Sequence, residues 1–281
     1  MPIRIITDSG SDIDASRDPR LTVLPLSIAF GTTIYQDGVD LSRERFYELL
    51  IESDENPTTG QVTPYAFGEA LAAAKQAGED ALVITLSSKL SGTYESAVAA
   101  ASEYPGVPVV DSKNATIGEG ILVLRALELA DQGLSVAEIA TELERVRDNI
   151  CLVALLDTLE YLKRGGRIPP AVGTIGELLS IKPVIGVTDG VVAMLGKARG
   201  SKNGRNALRQ EVEKSGIDFS MPVALGYSGL SDKLLYKYLE DNRDVWEGHI
   251  DKDNLPVYLV GATVGTHVGP GAIALAFFSA K

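Results

Sequence analysis

The chain has 281 residues, 45% hydrophobic and 23% charged with 6% aromatic, a composition that excludes extended disorder and a length that suits two domains, each with its own core. A formal net charge of −12 repels phosphodiester backbones and anionic bilayers, so neither nucleic acid nor a membrane is an expected partner. One cysteine, Cys151, and two histidines, His249 and His267, permit no intrachain disulfide and give no basis for a metal site, which suits a reducing cytoplasm.

IRIIT opens a first strand that reaches Asp8 in TDSGSD before the apolar core of an export signal could form, so no export signal is expected. LTVLPLSIAF and TIYQDG read as extended segments and FYELLIES as a helix. In NPTTGQVTPYAFGEALAAAKQAG, Thr63 is placed to cap a helix whose first position is Pro64. The strand ALVITL then delivers the chain to SSKLSGTYESAVAAA, where Gly92 allows a tight path and a helix starts near Thr93. VPVVD is a further strand, followed by helices over GILVLRALELADQG and SVAEIATELERVRDN. This alternation, with continuously apolar strands, predicts an α/β domain over residues 1–150 with a mainly parallel sheet and helices on both faces.

After CLVALLD, Gly165 and Gly166 in LEYLKRGGRIPP stop a helix, and Pro169 and Pro170 prevent its resumption. A smaller α/β domain with a mixed sheet is expected over residues 151–281. Its elements are a hairpin turning at Asp189 and Gly190 between KPVIGV and VVAML, a helix around NALRQEVEK, a strand at PVALGYS, a helix over SDKLLYKYLEDNRDVW and a strand at PVYLVGA. The last segment, VGTHVGPGAIALAFF, reads as a glycine-rich loop feeding a final helix with Pro270 just inside it. GILVLRALEL and AIALAFFSA are too short or too interrupted by charge to cross a bilayer.

Three strand-to-helix loops therefore carry hydroxyls: Thr58, Thr59 and Gly60; Ser87, Ser88, Ser91 and Gly92; and Thr266, His267 and Gly269. A helix N-terminus with free N–H groups favours an anion. Taken singly, each loop is accounted for by capping and His267 by a structural role; together they predict one anion site outside the carboxyl ends of the strands. Asp8 with Ser9, and Asp111 with Ser112, read as loop-organising acceptors. Nine basic residues from Lys163 to Arg209 face only Glu177 and Asp189 in the same stretch. They read as a solvated surface or as a docking face, with Arg167, Lys182 and Arg199 as its candidates. GYSGL lacks the second glycine of a hydrolase elbow, and no phosphate-binding or dinucleotide-binding glycine motif is present.

TDSGSD, PTTGQVTP, LSGTY, VVDSKNAT, LEYLKRGGRI, IKPVI and GTHVGPGA, in this order along nearly the whole chain, resemble the DegV family of bacterial fatty acid-binding proteins. The resemblance implies a two-domain fold that holds a long-chain fatty acid between its domains and presents the carboxylate to a separate ATP-dependent fatty acid kinase, which converts it to an acyl phosphate. No cofactor, metal or catalytic residue of the chain's own is implied. Carried over by motif, Thr59 and Ser91 are the carboxylate-binding hydroxyls and His267 their neighbour, with Gly60, Gly92, Thr93, Thr266 and Gly269 in the supporting loops. Gly60 stands where the family usually has serine and Val62 where proline is common, so one family head-group contact is not expected here. Neutral hydroxyls fit this role, because a bidentate arginine would quiet the carboxylate as a nucleophile while phosphoryl transfer depends mostly on positioning. The tail is expected against the apolar faces of GILVLRALEL, VGTIGELLSI and AIALAFF. The alternative is a small-molecule hydrolase or phosphotransferase using Ser91 and His267 as reactive groups.

Overall fold

The computed structural model of the chain describes residues 2–168, 181–250 and 255–281. In chain order the strands and helices of its first half are β1 (Ile3–Asp8), β2 (Leu21–Leu24), β3 (Ser27–Phe30), β4 (Thr33–Gln36), α1 (Arg43–Glu52), β5 (Thr58–Gly60), α2 (Pro64–Ala77), β6 (Asp80–Thr85), α3 (Thr93–Ala101), β7 (Val109–Asp111), α4 (Ile117–Asp131) and α5 (Val136–Val146). The second half adds β8 (Ile150–Leu155), α6 (Glu160–Arg164), β9 (Ile181–Thr188), β10 (Val191–Arg199), α7 (Ser201–Ser215), β11 (Ala224–Tyr227), α8 (Lys233–Asp241), α9 (Arg243–Trp246), β12 (Val257–Leu259), α10 (Ala262–Val268) and β13 (Ile273–Phe278).

The expected two-domain α/β architecture is present. A four-stranded sheet, β2-β1-β6-β7, pairs entirely in parallel, and a six-stranded mixed sheet runs β10-β9-β8-β13-β11-β12. A small antiparallel sheet, β4-β3-β5, stands beside them and carries Thr59 opposite Ile28. Local signals behave as expected. Thr63 accepts from Ala66 N ahead of Pro64, Gly78 closes α2 in the left-handed region, and Asp189 and Gly190 turn the β9–β10 hairpin with φ of 50° and 79°.

α4 explains how the two sheets share one core. It is apolar nearly all round, with Ile117, Ile121, Leu122 and Val123 fully buried, and it packs against β1 on one side and β8, β11 and β13 on the other. GILVLRALEL is therefore core between the sheets and not cavity wall.

Two expected helices are corrected. AIALAFF is the central strand β13, paired antiparallel with β8 and β11 and buried at every position. A strand covered on both faces loses its alternation, and a short continuous apolar run then looks like a buried helix. The final helix lies earlier, as α10, so Pro270 follows it. The stretch SDKLLYKYLEDNRDVW breaks into α8 and α9 at Asn242, whose side-chain amide donates to Tyr238 O at 2.6 Å. Pro169, Pro170 and the expected VGTIGELLSI lining up to Ser180 lie outside the described residues.

Candidate functional site

A cavity of about 400 Å³ lies between the loops of the parallel sheet and the face of the mixed sheet that carries Leu152, Ala154 and Leu156. Its wall is mostly hydrocarbon, including Ala272, Ile273 and Ala274 from AIALAFF, with Thr59, Gln61, Ser91, Thr116, Arg167, Thr263 and His267 among its polar lining. Thr59 Oγ1 and His267 Nε2 are 3.0 Å apart, hydrogen bonded between β5 and α10. Ser91 and Arg167 line the same cavity.

The loop after β6 answers why so many hydroxyls crowd between a strand and a helix. Ser87 Oγ donates to Gly190 O at 2.7 Å, tying the hairpin tip of the mixed sheet to the parallel sheet. Ser88 Oγ donates to Asp111 at 2.6 Å and organises the neighbouring loop. Ser91 Oγ lies 2.9 Å from Thr93 Oγ1 and accepts from Thr93 N at 3.3 Å, so it occupies the first free N–H of α3. Thr93 Oγ1 in turn accepts from Val62 N, stitching the Ser91 loop to the segment that carries Thr59. Each hydroxyl is a brace, and only Ser91 of the serines also lines the cavity.

The third of the predicted helix N-termini is not one. His267 sits in the last turn of α10, Thr266 Oγ1 bonds back to Ala262 O at 2.8 Å, and Gly269, with φ of 70°, leaves the helix against the Tyr161 ring. The N-terminus of α10 is already filled from the first half of the chain. Asp37 accepts from Ala262 N at 3.2 Å, from Thr263 N at 3.0 Å and from Thr263 Oγ1 at 2.6 Å, while Asp12 accepts from Gly261 N at 2.8 Å. A carboxylate there completes the orphan donors and opposes the helix dipole. Neither residue was a sequence candidate; the available signal was the second aspartate of TDSGSD. Asp8 is the loop organiser expected of it, accepting from Gly10 N and Leu86 N at 2.9 Å each.

His267 is pushed down to about 4, chiefly because burial disfavours its charged form and secondarily because Arg167 is near. The imidazole is thus neutral at neutral pH. Its Nδ1 has no hydrogen-bond partner among the described residues and packs on Gly165, the residue that ends α6. Ser91 bonds Thr93 and His267 bonds Thr59, so serine and histidine do not form the pair that a hydrolytic relay requires.

Gly60 and Gly92 are small for stated reasons. A β-carbon on Gly60 would collide with Ser27 Oγ across the β3–β5 ladder, and one on Gly92 would collide with the Gln61 side chain. Where the family resemblance calls for a serine, the Ser27 hydroxyl fills the space.

The basic stretch is less unbalanced in space than in sequence. Arg164 pairs with Glu160, Lys182 with Asp157, Arg205 with Asp241, and Arg209 with Glu213 and Asp244, all acids outside the Lys163–Arg209 window. Lys182 and Arg199 lie at the open end of the β9–β10 hairpin, where Lys182 is cross-strand from Ala198 and Arg199 from Ile181, and neither lines the cavity. Arg167 is exposed yet faces the cavity beside His267, with Nε donating to Leu90 O at 3.2 Å and Nη1 to Gly165 O at 2.7 Å. It also borders a smaller cleft of about 210 Å³ shared with Thr59, His267 and Arg164.

Among the described residues, no group of three His, Cys, Asp or Glu could hold a metal ion, and no helix is long and apolar enough to cross a membrane.

Fold and cavity together define a two-domain α/β protein with a mostly apolar internal cavity that Thr59, Ser91 and His267 line. The chain belongs to the DegV family, whose model, described as uncharacterised protein of the DegV family, matches residues 2–280. A DegV domain-containing protein of Caldanaerobacter subterraneus subsp. tengcongensis is 34% identical over 283 residues, covering 99% of each chain. A DegV family protein of Thermus thermophilus, whose structure concerns fatty acid binding, is 32% identical with a TM-score of 0.87, covering 99% of this chain and all of its own. DegV of Bacillus subtilis, a fatty acid binding protein, is 28% identical with a TM-score of 0.82 over 99% of each chain.

Proposed function

We propose that this protein is a cytoplasmic carrier that seals the hydrocarbon of a long-chain fatty acid in its 400 Å³ cavity and holds the carboxylate at Thr59, Ser91 and His267. The observation that carries this reading is the make-up of the cavity: a mostly hydrocarbon wall in which Thr59 and His267 are hydrogen bonded to each other and Ser91 lines the same space. Each buried methylene contributes roughly 0.8 kcal/mol, so a long tail supplies ample driving force for an enclosed site. We divide the chain near residue 150, where β8 enters the mixed sheet, and place the ligand between the two units.

The finer reading is that the chain acts as the lipid-binding subunit of an ATP-dependent kinase and does no chemistry alone. Thr59, Ser91 and His267 locate the carboxylate without a charge of their own, while Arg167 in the same wall is held by Leu90 O and Gly165 O, leaving a carboxylate oxygen free to attack a γ-phosphoryl group in line. A second cleft shares Thr59 and His267 with the chamber and is also lined by the exposed Arg164 and Arg167; a kinase would approach there, and Arg167 would supply charge for its phosphates. Lys182 and Arg199 are at most peripheral to such a docking face.

Native mass spectrometry of gently purified protein is the direct test, with a bound mass equal to a fatty acid expected. Ser91→Ala is expected to weaken fatty acid binding and to slow acyl phosphate formation with the kinase. If both stayed at the wild-type level, the head-group assignment would be wrong. An empty chamber with intrinsic esterase or phosphatase activity would favour the hydrolase or phosphotransferase alternative instead.

A further inference from the structure

The mixed sheet is unzipped beside the chamber. The β8–β9 ladder runs through Val153–Gly186, Ala154–Ile185 and Leu155–Val184, with Leu156 N donating to Pro183 O beyond it, and stops at Val153 and Gly186 although both strands continue past them. Beyond that last pair, β8 stays with β13, where Leu152 is opposite Ala276 and Cys151 opposite Phe277. The β9–β10 tip is instead held by Ser87 at Gly190. A slit opens between the diverging strands, and a second cleft of about 330 Å³ fills it on the far face, lined in part by Ile150, Cys151, Leu195 and Lys214 of α7.

Leu152 and Val187 border both spaces. They are the residues that would form the next rung after Val153–Gly186 had the ladder continued, and Val187 is cross-strand from Val192, which also lines the chamber. Leu156, Ala154 and Leu152 face the chamber in turn, since alternate residues of a strand share a face. Leu156 lies toward α6 and His267, and Leu152 is four residues further along β8, about 13 Å at roughly 3.3 Å per residue.

We propose that Leu152 and Val187 form the stop at the far end of the acyl chamber, and that their bulk sets the longest tail the protein accepts. A tail that passed them would leave the hydrocarbon wall for a cleft that also holds Lys113, Arg147 and Asp189, losing the burial that drives binding. Trimming either residue lets additional methylenes lie in the slit against Ile150, Cys151 and Leu195; enlarging Leu152 shortens the chamber. This rests on the fatty acid reading above and deepens it.

The test is to purify wild type, Leu152→Ala, Val187→Ala and Leu152→Phe under mild conditions. The bound acids are then extracted and their chain lengths measured, and hexadecanoic acid is competed against docosanoic acid on delipidated protein. Both alanine variants are expected to shift the bound acids to longer chains and to move the competition about tenfold toward docosanoic acid, the effect of burying roughly two further methylenes. Leu152→Phe is expected to shift the bound acids the other way, and its opposite sign keeps the proposal testable if an alanine variant fails to fold. Folded variants with the wild-type length profile and competition ratio would overturn the stop while leaving the carrier reading intact. Wild type that neither carries nor binds any fatty acid would overturn both.

Discussion

The imidazole of His267 packs directly on the α-carbon of Gly165, so that a β-carbon at residue 165 would collide with Nδ1. Gly165 has a φ of −73° and ψ of −9°, a helical conformation open to any residue; its smallness serves the histidine and not the backbone. Gly165→Ala is therefore expected to displace His267, break its bond to Thr59 and lower fatty acid affinity about tenfold, the worth of one hydrogen bond to a head-group residue. In a His267→Ala background the same substitution should cost almost nothing. A double-mutant cycle on ligand affinity checks this, since only residues in contact give a coupling term.

His267 also sets a pH dependence. Its proton affinity is lowered from 6.5 to about 4 in the folded protein, so the stability it contributes is complete above 6.5 and lost as pH falls toward 4. The displacement is worth on the order of 3 kcal/mol. Asp8 and Asp12 run the other way. Burial raises them from 3.8 to about 7 and about 6, so their contribution is complete below 3.8 and lost as pH rises through 6 and 7. Urea denaturation of wild type and His267→Gln between pH 7 and 4 separates the two. The wild type should lose its advantage over the variant across that interval by roughly 3 kcal/mol, whatever the aspartates add to both curves.

Asp37 holds α10 from a turn more than two hundred residues away in sequence. It is 4% exposed and accepts two backbone N–H bonds and the Thr263 hydroxyl, with Ser9 Oγ donating to it at 3.1 Å. Asp37→Asn keeps the shape but sets its NH2 against one of the two helix N–H groups and removes the charge at the helix N-terminus, and is expected to destabilise the fold by about 2–3 kcal/mol at neutral pH. Because α10 carries His267, ligand affinity should fall with stability. Ser9→Ala leaves the helix N–H bonds in place but frees the buried Leu26 N–H that Ser9 Oγ accepts, and should cost about 1–2 kcal/mol. Chemical denaturation and ligand titration on the two variants check the order.

What was legible in the sequence follows from the range of the interactions concerned. The caps, the Asp189–Gly190 turn, the start of α3 and the stop of α6 at Gly165 and Gly166 are set by residues a few positions apart, and they appear where local chemistry places them. The pairing of Thr59 with His267 spans 208 residues; no local rule connects them, and only the coincidence of hydroxyl-bearing loops and the DegV-like motifs point to both. β13 was misjudged because burial on both faces erased its alternation. A run of basic residues says nothing about the acids that neutralise it in space: Arg164, Lys182, Arg205 and Arg209 are ion-paired, while Arg167 is exposed and also lines the cavity. Asp12 and Asp37 were hidden for the same reason as the Thr59–His267 pair: the helix end they cap is on the far side of the chain.

Gly60 supplies the last expectation. The family resemblance places serine at this position, which makes Gly60→Ser look harmless. In this chain Gly60 pairs with Ser27 across the β3–β5 ladder, and the space for a residue-60 β-carbon is already held by Ser27 Oγ, while the Ser27 β-carbon lies 3.8 Å off at ordinary contact distance. The single substitution is therefore expected to overpack the ladder and destabilise by about 1–3 kcal/mol, pushing its neighbour Thr59 away from His267 and weakening ligand binding. Ser27→Ala removes the obstructing hydroxyl and leaves only the tolerated contact. The double variant Ser27→Ala, Gly60→Ser should return to within about 0.5 kcal/mol of wild type by urea denaturation, with the head-group hydroxyl now carried on β5 beside Thr59. A single Gly60→Ser variant as stable as wild type would show that the ladder yields at this rung and that Ser27 does not hold the space.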